Sequence, residues 1–133
     1  SRRVVVIGHE LEIPVEEKAI DNLAKKTGLV AGKWLIYELR EKIDEIWKTI
    51  ASSTLKRELG IDTKVSTVPQ GGPKHVICVY TRNYLDVGDV KRVRKKLMEL
   101  GFTQRLYYKP DIYTYLNIYY NTFPGVRASR YVE

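Results

Sequence analysis

The sequence predicts an α+β fold: a mainly antiparallel sheet with helices packed on one face. Apolar residues recur at helical spacing in three separate stretches that end near Gly28, Gly60 and Gly101. Segments between them, such as residues 33–39 and 75–81, alternate every second residue and are rich in β-branched and aromatic side chains. The connector Pro69-Gln70-Gly71-Gly72-Pro73 supplies turn residues between two such segments, as an antiparallel hairpin requires.

The elements follow in order. Val4 to Ile7 predicts a short first strand. Pro14 with Glu16 and Glu17 reads as a helix start, because acids in the first turn complement the dipole, and Ile20, Leu23 and Ala24 give its buried stripe. In residues 33–39, Trp34 and Ile36 share one face, while Leu35, Tyr37 and Leu39 share the other. The strongest helical pattern covers about residues 41–59, with Ile43, Ile46, Trp47, Ile50, Ala51, Leu55 and Leu59 in one stripe. On this reading Trp47 is a core residue, and the face taken by Trp34 stays open. Strands are predicted at 61–68 and 75–81. A helix over 86–100 buries Val87, Val90, Val93, Leu97 and Leu100, and strands at 104–108 and 112–119 flank Pro110. Helices separated by hairpins leave one sheet face uncovered, where a ligand can sit.

The chain has 133 residues and no linker long enough to divide it, so one domain is expected over 1–133. No apolar run approaches the ~20 residues of a membrane span, and the apolar segment after Arg2 and Arg3 is too short for a secretory signal. A soluble, cytoplasmic protein without a membrane partner is the expectation. The single cysteine, Cys78, excludes an internal disulfide and sits among Val76, Ile77, Val79 and Tyr80 as a buried strand thiol would. Scarce Cys, Met and Gln beside 29% charged residues lean towards thermostability.

Net charge is +7, and it is uneven: residues 74–109 carry nine basic and three acidic side chains, whereas the other two parts are close to balance. A local surplus of this kind concentrates anions at the surface. Lys91, Arg92, Lys95 and Lys96 form its basic patch on the last long helix. Walker-type and dinucleotide-binding glycine loops are absent, as is a Gly-x-Ser-x-Gly elbow. One cysteine with two distant histidines, His9 and His75, does not make a zinc site, so no metal or cofactor is expected.

Six of ten tyrosines lie between residues 107 and 120. If 112–119 is a strand, Tyr113, Tyr115, Asn117 and Tyr119 share the uncovered face as a stacking and hydrogen-bonding platform. Lys109 and Asp111 flank Pro110 at its rim, as an anion anchor and its orienting partner. Lys64 should share a face with Asp62 and Ser66. Arg82 ends the next strand, and Arg127 and Arg130 belong to an irregular tail that could fold across the site. The candidate ligand-binding set is therefore Trp34, Lys64, His75, Arg82, Lys109, Asp111, Tyr113, Tyr115 and Arg130. A half-exposed strand face with surface ion pairs is the plainer account of the same residues.

Gly32-Lys33-Trp34-Leu35-Ile36-Tyr37, Leu59-Gly60-Ile61-Asp62-Thr63-Lys64-Val65, Val76-Ile77-Cys78-Val79-Tyr80-Thr81 and Tyr108-Lys109-Pro110-Asp111-Ile112-Tyr113-Thr114-Tyr115-Leu116 occur in this order. Together they resemble the uncharacterised basophilic leukaemia-expressed protein family, from about Gly32 to the C-terminus. The resemblance implies a fold like that of the cap-binding translation initiation factor, a curved antiparallel sheet backed by helices. It does not imply cap recognition, which uses two tryptophans around a methylated base, because Trp47 on an apolar stripe leaves only Trp34.

The expected function is a binding module for an anionic ligand, either single-stranded RNA or a phosphorylated nucleotide. The alternative is an enzyme acting on a phosphorylated substrate, for which the family resemblance suggests a phosphothreonine lyase-like eliminase. That chemistry needs a lysine base and a histidine acid on one side of the substrate. Lys64 and His75 are the pair that could meet across the hairpin, with His75 expected to be solvated at the strand edge.

Overall fold

A computed structural model describes residues 2–6, 9–14, 16–66, 74–116, 118 and 126–133. The strands are β1 (Arg2–Val6), β2 (His9–Ile13), β3 (Gly32–Leu39), β4 (Asp62–Val65), β5 (Lys74–Thr81), β6 (Tyr107–Pro110) and β7 (Tyr131–Val132). The helices are α1 (Glu17–Thr27), α2 (Arg40–Leu55), α3 (Val87–Glu99) and α4 (Asp111–Tyr115). β1 and β2 form a separate antiparallel ribbon, and the other strands make a five-stranded antiparallel sheet in the order β4-β5-β3-β6-β7. The fold is thus α+β with an open antiparallel sheet.

Register decides which side chains share a face, because residues directly opposite in an antiparallel pair point the same way. Trp34 faces Val79 and Tyr108, and Ile36 faces Ile77. These side chains are buried with Ile20, Leu23 and Ala24 of α1, Ile43 and Ile50 of α2, and Val90, Val93 and Leu97 of α3. Helices α1 to α3 therefore pack on the Trp34 face.

The local chemistry explains the elements. Gly28 ends α1 in the left-handed conformation, at φ 76°. Glu17 in the first turn of α1 and Lys25 and Lys26 in its last turn complement the dipole. Asp86 caps α3 by accepting from the Asp89 N–H at 3.2 Å. A buried guanidinium holds the end of the described chain: Arg94 donates to the carbonyl oxygens of Phe102 (2.8 Å), Gln104 (2.8 Å) and Glu133 (3.1 Å). These bonds replace the water that the charge gave up.

Several expectations need correction. The first strand is one half of a ribbon, since β2 pairs with it. The tryptophans exchange roles. Trp34 has no exposed surface, and its Nε1 donates to the Val90 carbonyl at 3.0 Å. Trp47 is only partly buried against the core. Helix α2 stops at Leu55, which is 86% exposed, so the apolar spacing at Leu55 and Leu59 continues past the helix end.

The largest difference lies after Pro110. The predicted strand 112–119 begins instead as the helical turn α4, and Asn117 and Tyr119 of the expected platform lie outside the described residues. Pro110 supplies an extended N-cap and Asp111 a first-turn acid. Ile112, Tyr113 and Leu116 then reach the core together, at spacings that fit a helical turn. Burial thus outweighs the strand propensity of the tyrosines. The strand expected at 104–108 is displaced to β6. The connector at residues 67–73 is also outside the described residues, while the antiparallel pairing of β4 with β5 is present.

Candidate functional site

The sheet face opposite Trp34 carries two rows of side chains. The first row runs Asp62, Tyr80, Lys33 and Lys109 across β4, β5, β3 and β6. The second runs Lys64, Cys78, Leu35 and Tyr107. Beside the second row, Tyr37 stands opposite Val76. Three lysines and three tyrosines thus occupy adjacent positions on the face away from α1, α2 and α3.

Lys33 is the deepest of these cations, at 8% exposure. Its Nζ lies 2.7 Å from Asp111 Oδ1 and donates to Thr114 Oγ1 at 3.2 Å, so the first turn of α4 supplies its partners. Two ammonium groups approach the Tyr80 ring, Lys64 at 5.3 Å and Lys33 at 5.9 Å from its centroid. Lys33 stands directly opposite Lys109 in register, a like-charge arrangement that disfavours both charges. Burial, together with Lys33, accordingly lowers the Lys109 pKa.

Two hydroxyls and the thiol of this face are held neutral. Burial, reinforced by Cys78 and Asp111, pushes the Tyr80 hydroxyl up to about 12. Burial also raises the Cys78 thiol and the Tyr37 hydroxyl, so Cys78 is a protonated, half-buried thiol and not a poised nucleophile. Tyr37 and Tyr107 project further, each 44% exposed. The face therefore presents cations, neutral hydroxyl donors and aromatic surface, which suits an anion attached to a planar ring.

The structure brings together Lys64, Lys109 and Asp111 of the expected residues, with Asp62 at the edge of the same face. Other expected members lie elsewhere. Trp34 and Tyr113 have no exposed surface and cannot be stacked upon. Tyr115 is exposed on α4. His75 lies on the other face, in register with Glu38; it is buried, with Nδ1 3.1 Å from the Ser66 carbonyl oxygen. It is therefore neither solvated nor on one side of the sheet with Lys64, because an odd residue separation along β5 separates it from Cys78, the register partner of Lys64.

Arg130 makes a bidentate pair with Asp21 at 2.9 and 2.8 Å and approaches Glu17 at 3.4 Å, fastening the tail to α1. Arg127 is exposed, and its Nη2 donates to the Arg130 carbonyl at 3.5 Å. Arg82 lines a separate cleft with Arg92. Within the basic patch, Lys91 approaches Glu133, Arg92 pairs with Asp89, and Lys96 lies near Glu58 and Glu99, while Lys95 is exposed. These contacts offset much of the charge surplus that composition assigned to α3.

Sequence reading missed Lys33, Tyr37, Tyr80, Cys78 and Tyr107. Alternation along residues 33–39 puts Lys33 on one face with Leu35 and Tyr37, so fixing Trp34 in the core would have found these two charged and aromatic members, Lys33 and Tyr37, while the others follow only from the register. Among the described residues, no group of three or more His, Cys, Asp or Glu side chains is arranged to hold a metal. No described helix is long and apolar enough to cross a membrane.

Residues 10–117 match the family described as Basophilic leukemia-expressed protein Bles03, a span that begins before the Gly32 boundary of the sequence resemblance, takes in α1 and all of β2 but His9, and stops short of the C-terminus to which the resemblance was extended. The matched span contains every residue of the two-row face, and the chain belongs to this family.

Proposed function

We propose that this protein binds single-stranded RNA or a phosphorylated nucleotide on the sheet face away from its three long helices. The observation that carries this reading is the convergence of Lys33, Lys64 and Lys109 beside Tyr80, with Tyr37 and Tyr107 exposed on the same surface. The lysines would hold phosphate. The two exposed rings would carry bases, since stacking on an aromatic ring tolerates any base.

The test is equilibrium binding of a short labelled RNA at increasing salt. Phosphate contacts from Lys64 and Lys109 on a single strand give a log–log slope of about −1.4. Exchanging Lys64 for Gln should reduce its magnitude by roughly 0.7. Tyr37→Ala or Tyr107→Ala should weaken binding by roughly 1–3 kcal/mol. No binding at low salt, or a slope indifferent to both Lys64→Gln and Lys109→Gln, would refute the reading.

A further inference from the structure

A second concavity lies where α2 ends, β4 begins and the first turns of α3 pass the end of β5. It encloses about 650 Å³ and is lined by three arginines, Arg57, Arg82 and Arg92. That volume is within the range of small-molecule sites.

The chain is held in place around it. The Arg57 N–H bonds the Thr54 carbonyl at 3.0 Å and the Glu58 N–H bonds the Ser53 carbonyl at 2.9 Å, closing α2 with a Schellman motif. The left-handed position of such a motif is usually glycine, yet here it is Arg57, at φ 59°. Gly60, the expected helix stop, serves another purpose. A Cβ there would collide with the Tyr80 carbonyl oxygen, so glycine lets this segment lie against β5.

The three guanidinium groups differ in their commitments. Arg92 is anchored: it pairs with Asp89 at 3.0 Å and donates to the carbonyls of Glu58 (3.4 Å) and Leu59 (3.0 Å). The side chains of Arg57 and Arg82 make no hydrogen bond or ion pair among the described residues. The lining carboxylates already have partners, since Asp89 is held by Arg92 and Asp62 Oδ1 accepts from the Thr63 N–H at 2.8 Å. Leu55 and Ile61, 86% and 51% exposed, add apolar surface to the same cleft.

From this arrangement we infer a second ligand site, which takes a small organic phosphate: a phosphate monoester gripped by Arg57 and Arg82, with an apolar body against Leu55 and Ile61. Guanidinium suits this task because its planar donors match phosphate oxygens in pairs. Arg92, paired with Asp89, braces the wall of the cleft and offsets that carboxylate. The site shares Asp62 alone with the lysine face and none of its lysines or tyrosines, so either can fail alone.

The test is a titration of the full chain with phenyl phosphate, followed by NMR of the backbone amides of Ile61 and Arg82. Inorganic phosphate and phenol serve as separate arms. Saturable shifts at both amides are expected with phenyl phosphate, at an affinity at least about tenfold above that for inorganic phosphate, and phenol should give none. Combining Arg57→Asn with Arg82→Gln should weaken binding at least about tenfold. Asparagine suits the left-handed backbone, and the unchanged amide spectrum of the unliganded variant would confirm its fold. Absence of saturable shifts at Ile61 and Arg82, their persistence in the double variant, or equal affinity for inorganic phosphate would overturn the proposal. Shifts confined to β3 and β6 would overturn it too, while favouring the lysine face.

Discussion

Removing the Asp111 carboxylate isolates the charge of Lys33 on the lysine face. The Lys33 and Asp111 side chains are 10% and 24% exposed, and their charged atoms lie 2.7 Å apart. At an effective dielectric of about 20, opposite charges centred ~4 Å apart attract by about 4 kcal/mol. Breaking a buried pair usually costs about 3–5 kcal/mol, because the remaining ion keeps its desolvation penalty. Water reaches the Asp111 side, and Thr114 Oγ1 still accepts from Lys33 at 3.2 Å, so the expected cost of Asp111→Ala is about 2–3 kcal/mol. In a chain of this size that lowers Tm by roughly 6–15 °C, measurable by calorimetry. Adding Lys33→Met should recover part of the loss, because no buried charge is then left alone. Phosphate should raise the Tm of Asp111→Ala more than that of the unsubstituted chain, the anion taking the place of the carboxylate. A Tm within about 2 °C of the unsubstituted protein would refute the reasoning, since the pair would then be as solvated as a surface one.

Three other outcomes test the packing and the ionisation. Trp34→Ala should cost about 3–5 kcal/mol in denaturant unfolding and Trp47→Ala about 1–2 kcal/mol; the reverse ranking would contradict the core assignment. Gly32→Ala should cost about 1–3 kcal/mol by overpacking, because a Cβ there would lie 2.6 Å from ring carbons of the buried Tyr108, and an unchanged midpoint would show that the ring can yield. Alkaline pH should destabilise the protein from pH ~10 upwards. Burial raises the hydroxyls of Tyr37, Tyr80, Tyr84, Tyr108, Tyr113 and Tyr131, Tyr80 to about 12, so their contribution is complete below the unfolded value of ~10 and is lost as pH rises through the folded values. The lowered pKa of Lys109 acts in the opposite direction but is one lysine against six tyrosines. A Tm that stays flat to pH ~11 would count against this account.

The sheet was legible in the sequence because its signals are local. Alternation in residues 33–39 and 75–81 and the hairpin between β4 and β5 follow from spacing and turn residues alone. The strand order was less accessible, since it depends on β6 pairing with β3 across more than sixty residues, which no local pattern encodes. Helix α4 was misread because tyrosine and isoleucine favour strands, and only the core contacts of Ile112 and Tyr113 reverse that preference. Of the candidate site, Lys64 could be found from charge at a strand position, and Lys109 and Asp111 from their places on either side of Pro110. Lys33 could not, because one side-chain alternation offers two faces and nothing nearby says which one the helices cover. The basic run on α3 looked more prominent in composition than it is in space, where Asp89, Glu58 and Glu133 from different elements approach its members.

The central claim is that the ligand lies on the Tyr37 and Tyr107 face and not along α3. Photocrosslinking to a thiouridine-substituted single-stranded RNA, with adducts located by mass spectrometry, tests it directly, because a stacked base is held against the ring it reacts with. The account predicts adducts at Tyr37 or Tyr107 that are lost when Lys64 and Lys109 are both exchanged for glutamine. Adducts confined to peptides carrying Lys91 and Lys95, or no crosslinking at low salt, would contradict it.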